Sequence, residues 1–490
     1  MNWLLAALSG LLLVLVFPKF GIAFLAPFAL TPLIFAAARE PRPLRRFGLG
    51  YVTGLIFWGG VNYWIQVVLD VYGGTGHFMS WLMLALFCLA KALHMGAFAL
   101  LAGWAMRVSW AAIAVPAVWV VIEWTHGPLG FAWLDLGNAG IDMSVPLRLA
   151  PITGVYGLSF LFALMATAIA IALLRRPRGQ LLPMLLVLVP LDLPFLPDVH
   201  RGAASALLVQ PNIPDDEVWN PATFESTVQR MNLLSVNLAT GSSNPADLVV
   251  WPEVPAPFYE NTPEVAAAAR RIGQDGHTYL LAGIVARAPG GQPLNSAALW
   301  SPDGQEVSRY DKVNLVPFGE FVPWPLGYLT SKVSTEAGDF KPGTQVVVSP
   351  ENGHKIGTFI CYESVFPNFI RRFAQQGAEA LFNISNDSWF GHTAARYQHL
   401  QIVRMRAVEN RRWILRATND GITVAIDPAG RPSRESESFQ ALSGKFGFNY
   451  LQDTTIYTRW GDWFVFLCVL TGAAGIIIGI LYPSSTIPAS

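Results

Sequence analysis

Eight apolar stretches recur along this chain, and they constrain its fold more than any other feature. They lie at about residues 3–18, 21–38, 47–69, 80–104, 108–124, 152–174, 181–196 and 463–482. Most approach the roughly 20 residues that carry a helix across a bilayer core. Composition agrees: 52% of the 490 residues are hydrophobic and 13% are charged, where an ordinary globular protein carries about a quarter charged residues. The first two stretches are short and joined by FPKFG, and the seventh contains Pro183, Pro190 and Asp192. The N-terminus lacks a charged leader and a small-residue cleavage site, so it reads as a retained helix and not as a signal peptide.

Charge in the connecting loops sets an expected orientation. Arg39, Arg42, Arg45 and Arg46 follow the second stretch, Arg107 the fourth, and Arg175, Arg176 and Arg178 the sixth. The alternate loops, DVYGGTGH and Thr125 to Pro151, are poor in Lys and Arg. The positive-inside rule then gives a membrane protein with eight transmembrane helices and both termini in the cytoplasm. Three units follow: a bundle of about seven helices over 1–200, an insert over 203–455 on the outer side, and a C-terminal span over 460–483. A formal net charge of zero points to no nucleic-acid partner, and nothing demands a partner chain, so a monomer is expected.

The insert has a different pattern. Its apolar residues fall in short β-rich runs, ALLVQ, DLVVW, TYLLAGIVA, SAALW, KIGTFICY, EALFNIS and GITVAID, with helix-like stretches at Pro263 to Asp275, Pro367 to Gly377 and Ala394 to Arg411. Strands alternating with helices predict an α/β layered domain with one complete core.

Of three cysteines, Cys88 and Cys468 lie inside apolar stretches and Cys361 lies in the insert. An unpaired thiol facing an oxidising compartment is a liability unless it is buried as a small hydrophobe or has work to do. A nucleophilic thiol needs a base and a cation for the oxyanion formed on attack. Glu253 follows DLVVW in WPEVPAP, and Lys312 lies in RYDKVNLVPFGEFVP. Taken singly, either residue reads as a solvated loop charge. Together, WPE, YDKVNLVPFGE and ICYES fall in order where strands give way to loops, which is where active-site groups of α/β folds gather.

With QPNIP and NISNDSWFG added, these motifs resemble the bacterial apolipoprotein N-acyltransferase family of the nitrilase superfamily, over essentially the whole chain. The resemblance implies an α-β-β-α sandwich for the insert, with Cys361 as nucleophile, Glu253 as general base and acid, and Lys312 as the cation stabilising tetrahedral intermediates. It implies supporting roles for Glu320, Tyr362 and Glu363, and a place for Trp219 near the acyl site. It implies no metal or other cofactor. The implied reaction is ping-pong: an acyl chain leaves a phospholipid donor for a thioester, then passes to the α-amino group of a diacylglyceryl-modified apolipoprotein. The implied location is the bacterial inner membrane, with the insert in the periplasm.

Water must be kept from such a thioester. Phe318, Phe321, Trp324, Leu326 and Tyr328 in VPFGEFVPWPLGYL read either as packed loop or as an apolar lid at the lipid interface, and Trp389 in NDSWFGHTAARYQH lines the other side. Lys91, His94 and Glu123 are costly in lipid and are expected to face the bundle or an aqueous cleft. HGPLGFAWLDLGN, 126–138, reads as packing or as part of a lipid passage. Two other readings stand beside this one. A membrane-tethered amidase would use the same triad on a small amide, although a tether needs one helix and not eight. A transporter or receptor would make the three motifs accidental.

Overall fold

The computed structural model describes every residue except 129, 130, 199–201, 203, 215, 216, 240–244, 322–339, 434 and 483–490. The N-terminal part is helical: α1 Asn2–Val16, α2 Thr31–Arg39, α3 Pro43–Val61, α4 His77–Ala105, α5 Ala111–Trp124 and α6 Val155–Leu173. Among the described residues three helices are long and apolar enough to cross a membrane: α4, α6 and the C-terminal helix Trp463–Leu481. A fourth crossing arises if α3 is joined to Trp64–Tyr72, bent from it by 51°, and Asn2–Val16, Ala23–Arg39 and Ala111–Trp124 are shorter apolar helices.

The seventh apolar stretch departs from the expected α-helix. It forms a 3-10 helix over Arg178–Leu188 and one α-turn at Val189–Asp192, with Pro183 inside the first. Proline removes a backbone donor and crowds the preceding turn, which disfavours α-helix there, although α5 accommodates Pro116 in its interior. Prolines also divide the second stretch, which turns at Ala23–Leu25 and Ala26–Ala29 before α2.

Helices α3 and α4 approach so closely that a Cβ on Gly50 would lie 2.0 Å from the carbonyl oxygen of Met95, and one on Gly54 2.8 Å from Ala92 Cα. Small residues are what allow such contact between apolar helices. Lys91, 4% exposed, donates to the Phe131 carbonyl at 2.9 Å and lies 4.6 Å from the Trp58 ring centroid. The buried Glu123 accepts from Leu136 N–H at 2.6 Å, and the ring of His94 meets His126 edge-on at 4.8 Å. All three therefore face the bundle.

The second part contains two sheets. The first comprises β1 Ala204–Gln210, β2 Leu248–Val250, β3 Tyr279–Arg287, β4 Pro293–Trp300, β5 Glu306–Asp311 and β11 Leu442–Phe448, in the order β11-β1-β2-β3-β4-β5. The second comprises β6 Val348–Glu351, β7 His354–Ile360, β8 Ala380–Ser385, β9 Ile414–Thr418 and β10 Val424–Ile426, in the order β10-β9-β8-β7-β6. Every β-rich run expected from sequence is one of these strands.

Alternation along each strand builds the layers. Ala206 and Leu208 of β1 join Phe359, Leu381 and Leu415 of the second sheet in one core. Leu207 and Val209 instead pack on Val228 and Met231 of α7 (Pro221–Ala239) and Ala268 and Ile272 of α8 (Pro263–Gly276). Helices α9 Pro367–Gln375 and α10 Ala395–Asn410 cover the second sheet, contributing Phe373, Leu400 and Val403. The insert is thus the expected α-β-β-α sandwich.

The two parts are joined by a continuous apolar core. Tyr362, Val365, Ile402, Met405 and Val408 pack among the residues of the helical part. Gln398 of α10 is fully buried there: its Oε1 accepts from Trp64 Nε1 at 3.2 Å and Trp133 Nε1 at 2.7 Å, and its Nε2 donates to the carbonyls of Pro18 and Val61.

The helix crossing is open to test. Gly50→Leu forces α3 off α4 and should cost about 1–3 kcal/mol. Gly59→Ala, where the new methyl meets only Cys88 Sγ at 3.9 Å, should be neutral or mildly stabilising. Thermal unfolding of both variants in detergent, with the helical signal followed, gives the comparison; equal stability would mean the crossing can relax.

Candidate active site

Three strand ends converge on one ionic cluster. Glu253, 7% exposed, lies three residues beyond β2. Its Oε1 accepts from Lys312 Nζ at 3.2 Å and Asn295 Nδ2 at 2.7 Å, and its Oε2 accepts from the Asn386 N–H at 2.8 Å. The loop carrying it presses on β3: a Cβ on Gly283 would lie 2.4 Å from Val254 N and 2.8 Å from Glu253 Cα. Only a residue without a side chain fits there.

Lys312 follows β5 directly and is 1% exposed. Its ammonium also lies 2.9 Å from Glu320 Oε1, an oxygen that accepts from Asn295 Nδ2 at 2.8 Å. The other oxygen of Glu320 accepts from Val316 N–H at 2.8 Å. Asn295 is the residue that sequence reasoning missed, since one amide group serves both carboxylates. The signal was a polar Asn in the apolar run of β4, where asparagine is disfavoured.

Cys361 follows β7 directly, keeps part of its surface accessible and has φ +49°. A cysteine rarely adopts this left-handed conformation, which costs about 1–2 kcal/mol and tends to occur where function requires it. Burial pushes the thiol's pKa well above its ordinary value; Glu253 adds to the rise, Lys312 opposes it and Asp387 adds again. On Lys312, burial disfavours the charge, but Glu253, Glu320 and Cys361 together hold its pKa above the ordinary lysine value. The resting pair is therefore a protonated thiol beside a fixed ammonium.

The residues after Cys361 tie the site together. Glu363 Oε1 accepts from Tyr310 Oη at 2.6 Å and from the N–H groups of Val313 and Asn314, and its Oε2 accepts from Ile360 N–H at 2.8 Å. It thus clamps the turn of Cys361 to the segment beyond Lys312. Burial pushes its pKa up to about 7 against those donors. Tyr362 donates to the Ala132 carbonyl at 3.2 Å and stacks on Phe131 at 5.5 Å, so it faces the helical part.

Phe318 is 41% exposed with φ +64°, and Trp389 is 39% exposed beside Tyr72 at 6.0 Å. Trp219 lines an open apolar groove of about 610 Å³ with Phe224, Pro257, Tyr259 and Pro263, and none of Glu253, Lys312 or Cys361 lines it. Trp324, Leu326 and Tyr328 lie outside the described residues. Among the described residues no group of His, Cys, Asp and Glu is arranged to hold a metal ion.

Two family profiles match separate regions of this chain. Residues 9–168 match the profile described as the apolipoprotein N-acyltransferase N-terminal domain, and residues 206–442 match that of carbon-nitrogen hydrolase. An apolipoprotein N-acyltransferase of Geobacter metallireducens is 36% identical, covering 96% of this chain and 94% of its own. One from Methylococcus capsulatus is 34% identical, covering 94% and 92%. A solved amidase structure from Nesterenkonia sp. is 20% identical with a TM-score of 0.37, covering 52% of this chain and 93% of its own.

The electrostatics predict opposite labelling behaviour in two variants that both lose turnover. Lys312→Gln removes the charge that favours the thiolate, so iodoacetamide should label Cys361 about tenfold more slowly at about pH 8. Glu253→Gln removes a charge that disfavours the thiolate, so labelling should become faster while turnover falls about 10²–10⁴-fold if the carboxylate serves as a general base. Slower labelling in both variants would contradict this arrangement.

Proposed function

This chain belongs to the apolipoprotein N-acyltransferase family, and on that premise we propose that it acylates the α-amino group of a diacylglyceryl-modified N-terminal cysteine through a thioester on Cys361. The observation carrying this reading is the convergence of a carboxylate, a buried ammonium and a strained cysteine beside an aromatic wall from the helical part. Glu253 takes the thiol proton as Sγ attacks the ester carbonyl of a phospholipid. The oxyanion forms beside Lys312, whose ammonium is already fixed by Glu320 and need not reorganise. Collapse expels the lysophospholipid alkoxide, which leaves with the proton from Glu253.

The second half runs in reverse order. The acceptor amine attacks the thioester, Glu253 receives the amine proton, Lys312 again stabilises the oxyanion, and the thiolate leaves and is reprotonated. An amine attacks a thioester readily, so the remaining requirement is exclusion of water. Phe318, Trp389 and the unassigned Trp324 are the apolar candidates for that role, and Trp219 the candidate for contact with the acyl chain.

The site works at a membrane surface in this reading. Eight crossings of the bacterial inner membrane, both termini cytoplasmic and the 203–455 domain in the periplasm, accord with the arginine-rich loops. The seventh crossing is the 3-10 segment. At about 2.0 Å per residue in its 3-10 part, and about 1.5 Å in its α part, it comes close to the ~30 Å of a hydrocarbon core. Its Leu182, Leu185, Leu188 and Leu191 are more than half exposed in the protein alone, as lipid-facing residues are. The chain acts as a monomer on a phospholipid donor.

Intact-protein mass spectrometry after incubation with phospholipid in detergent tests this reading. A fatty-acyl mass increment removed by hydroxylamine and absent from Cys361→Ala is expected. Turnover of small amides without any increment would favour a tethered amidase.

A further inference from the structure

Behind the nucleophile lies a buried imidazole with no part in the steps above. His399 of α10 is fully buried, its Nε2 3.2 Å from the Cys361 carbonyl oxygen and 2.9 Å from Ser364 Oγ. Its Nδ1 lies 3.2 Å from Arg416 Nη2 and 3.3 Å from Asp387 Oδ1. Arg416 in turn pairs with Asp387 at 2.6 Å and donates to Asn383.

The contacts on the two sides of the ring select one tautomer. A guanidinium nitrogen can only donate and a carbonyl oxygen can only accept, so Nδ1 accepts from Arg416 and Nε2 carries the ring proton, shared between the Cys361 carbonyl and Ser364 Oγ; Asp387 Oδ1, which could accept from a proton on Nδ1, instead accepts from Arg416. Burial and the neighbouring guanidinium hold the imidazole's pKa below its ordinary value, which keeps the ring neutral. Aromatic rings from both parts of the chain enclose it: Trp133 at 6.0 Å and Phe390 at 5.8 Å.

The carbonyl it holds belongs to the residue with φ +49°. A left-handed cysteine persists only where its surroundings over-determine it, and His399 adds a side-chain contact to the carbonyl that opens the 3-10 turn Cys361–Val365. We infer that His399 is a positioning residue for acyl transfer: its Nε2–H holds the Cys361 carbonyl and thereby the backbone conformation that keeps the thiol beside Glu253 and Lys312. The inference rests on Cys361 being the nucleophile. It also gives α10 two adjacent anchors, Gln398 on the helical part and His399 on the nucleophile.

The test compares side chains that keep or lose the donor. His399→Gln carries an amide N–H close to the Nε2 position, whereas His399→Asn carries it near Nδ1, short of the Cys361 carbonyl; His399→Leu has none. Thioester formation is timed by mass spectrometry at saturating phospholipid, with lipid KM and thermal unfolding measured alongside. Leu and Asn should acylate about 10–100-fold more slowly, the scale set by small misplacements of reacting groups. Their lipid KM should stay within about threefold, and Gln should recover to within about fivefold of the parent. Should Leu fail to fold, the Gln–Asn difference carries the test. Equal rates for Gln and Asn, or losses that simply track thermal stability, would overturn the positioning role. Cys361→Ala runs in parallel: a thioester in that variant would instead defeat the assignment of Cys361 itself.

Discussion

The site is organised around one buried ammonium held between two carboxylates. Lys312 lies within 3.2 Å of Glu253 and 2.9 Å of Glu320, and all three are largely removed from water. Burying such charges is expensive unless each is paired and hydrogen-bonded, and here Asn295, Asn386 and the Val316 N–H supply the remaining donors. The cluster has one more negative than positive charge. Moving the thiol proton to Glu253 shifts that surplus from oxygen to sulfur without changing its size.

That arrangement requires strand ends far apart in sequence to meet within hydrogen-bonding distance. Pairing of β3, β4 and β5 brings Asn295 beside the start of the Lys312 loop, whose N–H donates to the Asn295 carbonyl at 2.8 Å. Gly283 lets the Glu253 loop lie against β3. The second sheet contributes Cys361, and Glu363 stitches its turn to the first-sheet segment 313–314. Neither sheet alone holds a complete site.

How much of this was legible in the sequence depended on whether the determinant was local. Strand runs such as TYLLAGIVA announce themselves through β-branched and apolar residues, and WPE and ICYES stand out because their polar residues follow such runs immediately. Asn295 was missed because its importance comes from two carboxylates 42 and 25 residues away. His399 was missed for a related reason: inside a helical stretch it looks like any other polar residue, and only tertiary packing brings it to the Cys361 carbonyl. The seventh apolar stretch had the right composition, but Pro183 and Pro190 decided its geometry.

The shared core between the helical part and the sandwich has a practical consequence. Tyr362, Val365, Ile402, Met405 and Val408 would become surface if the sandwich were cut away, and Gln398 would lose four buried partners at once. A contiguous apolar patch of that kind drives self-association in water. The sandwich therefore resists excision as a free-standing soluble fragment, and its solubility boundary runs through the turn that carries Cys361.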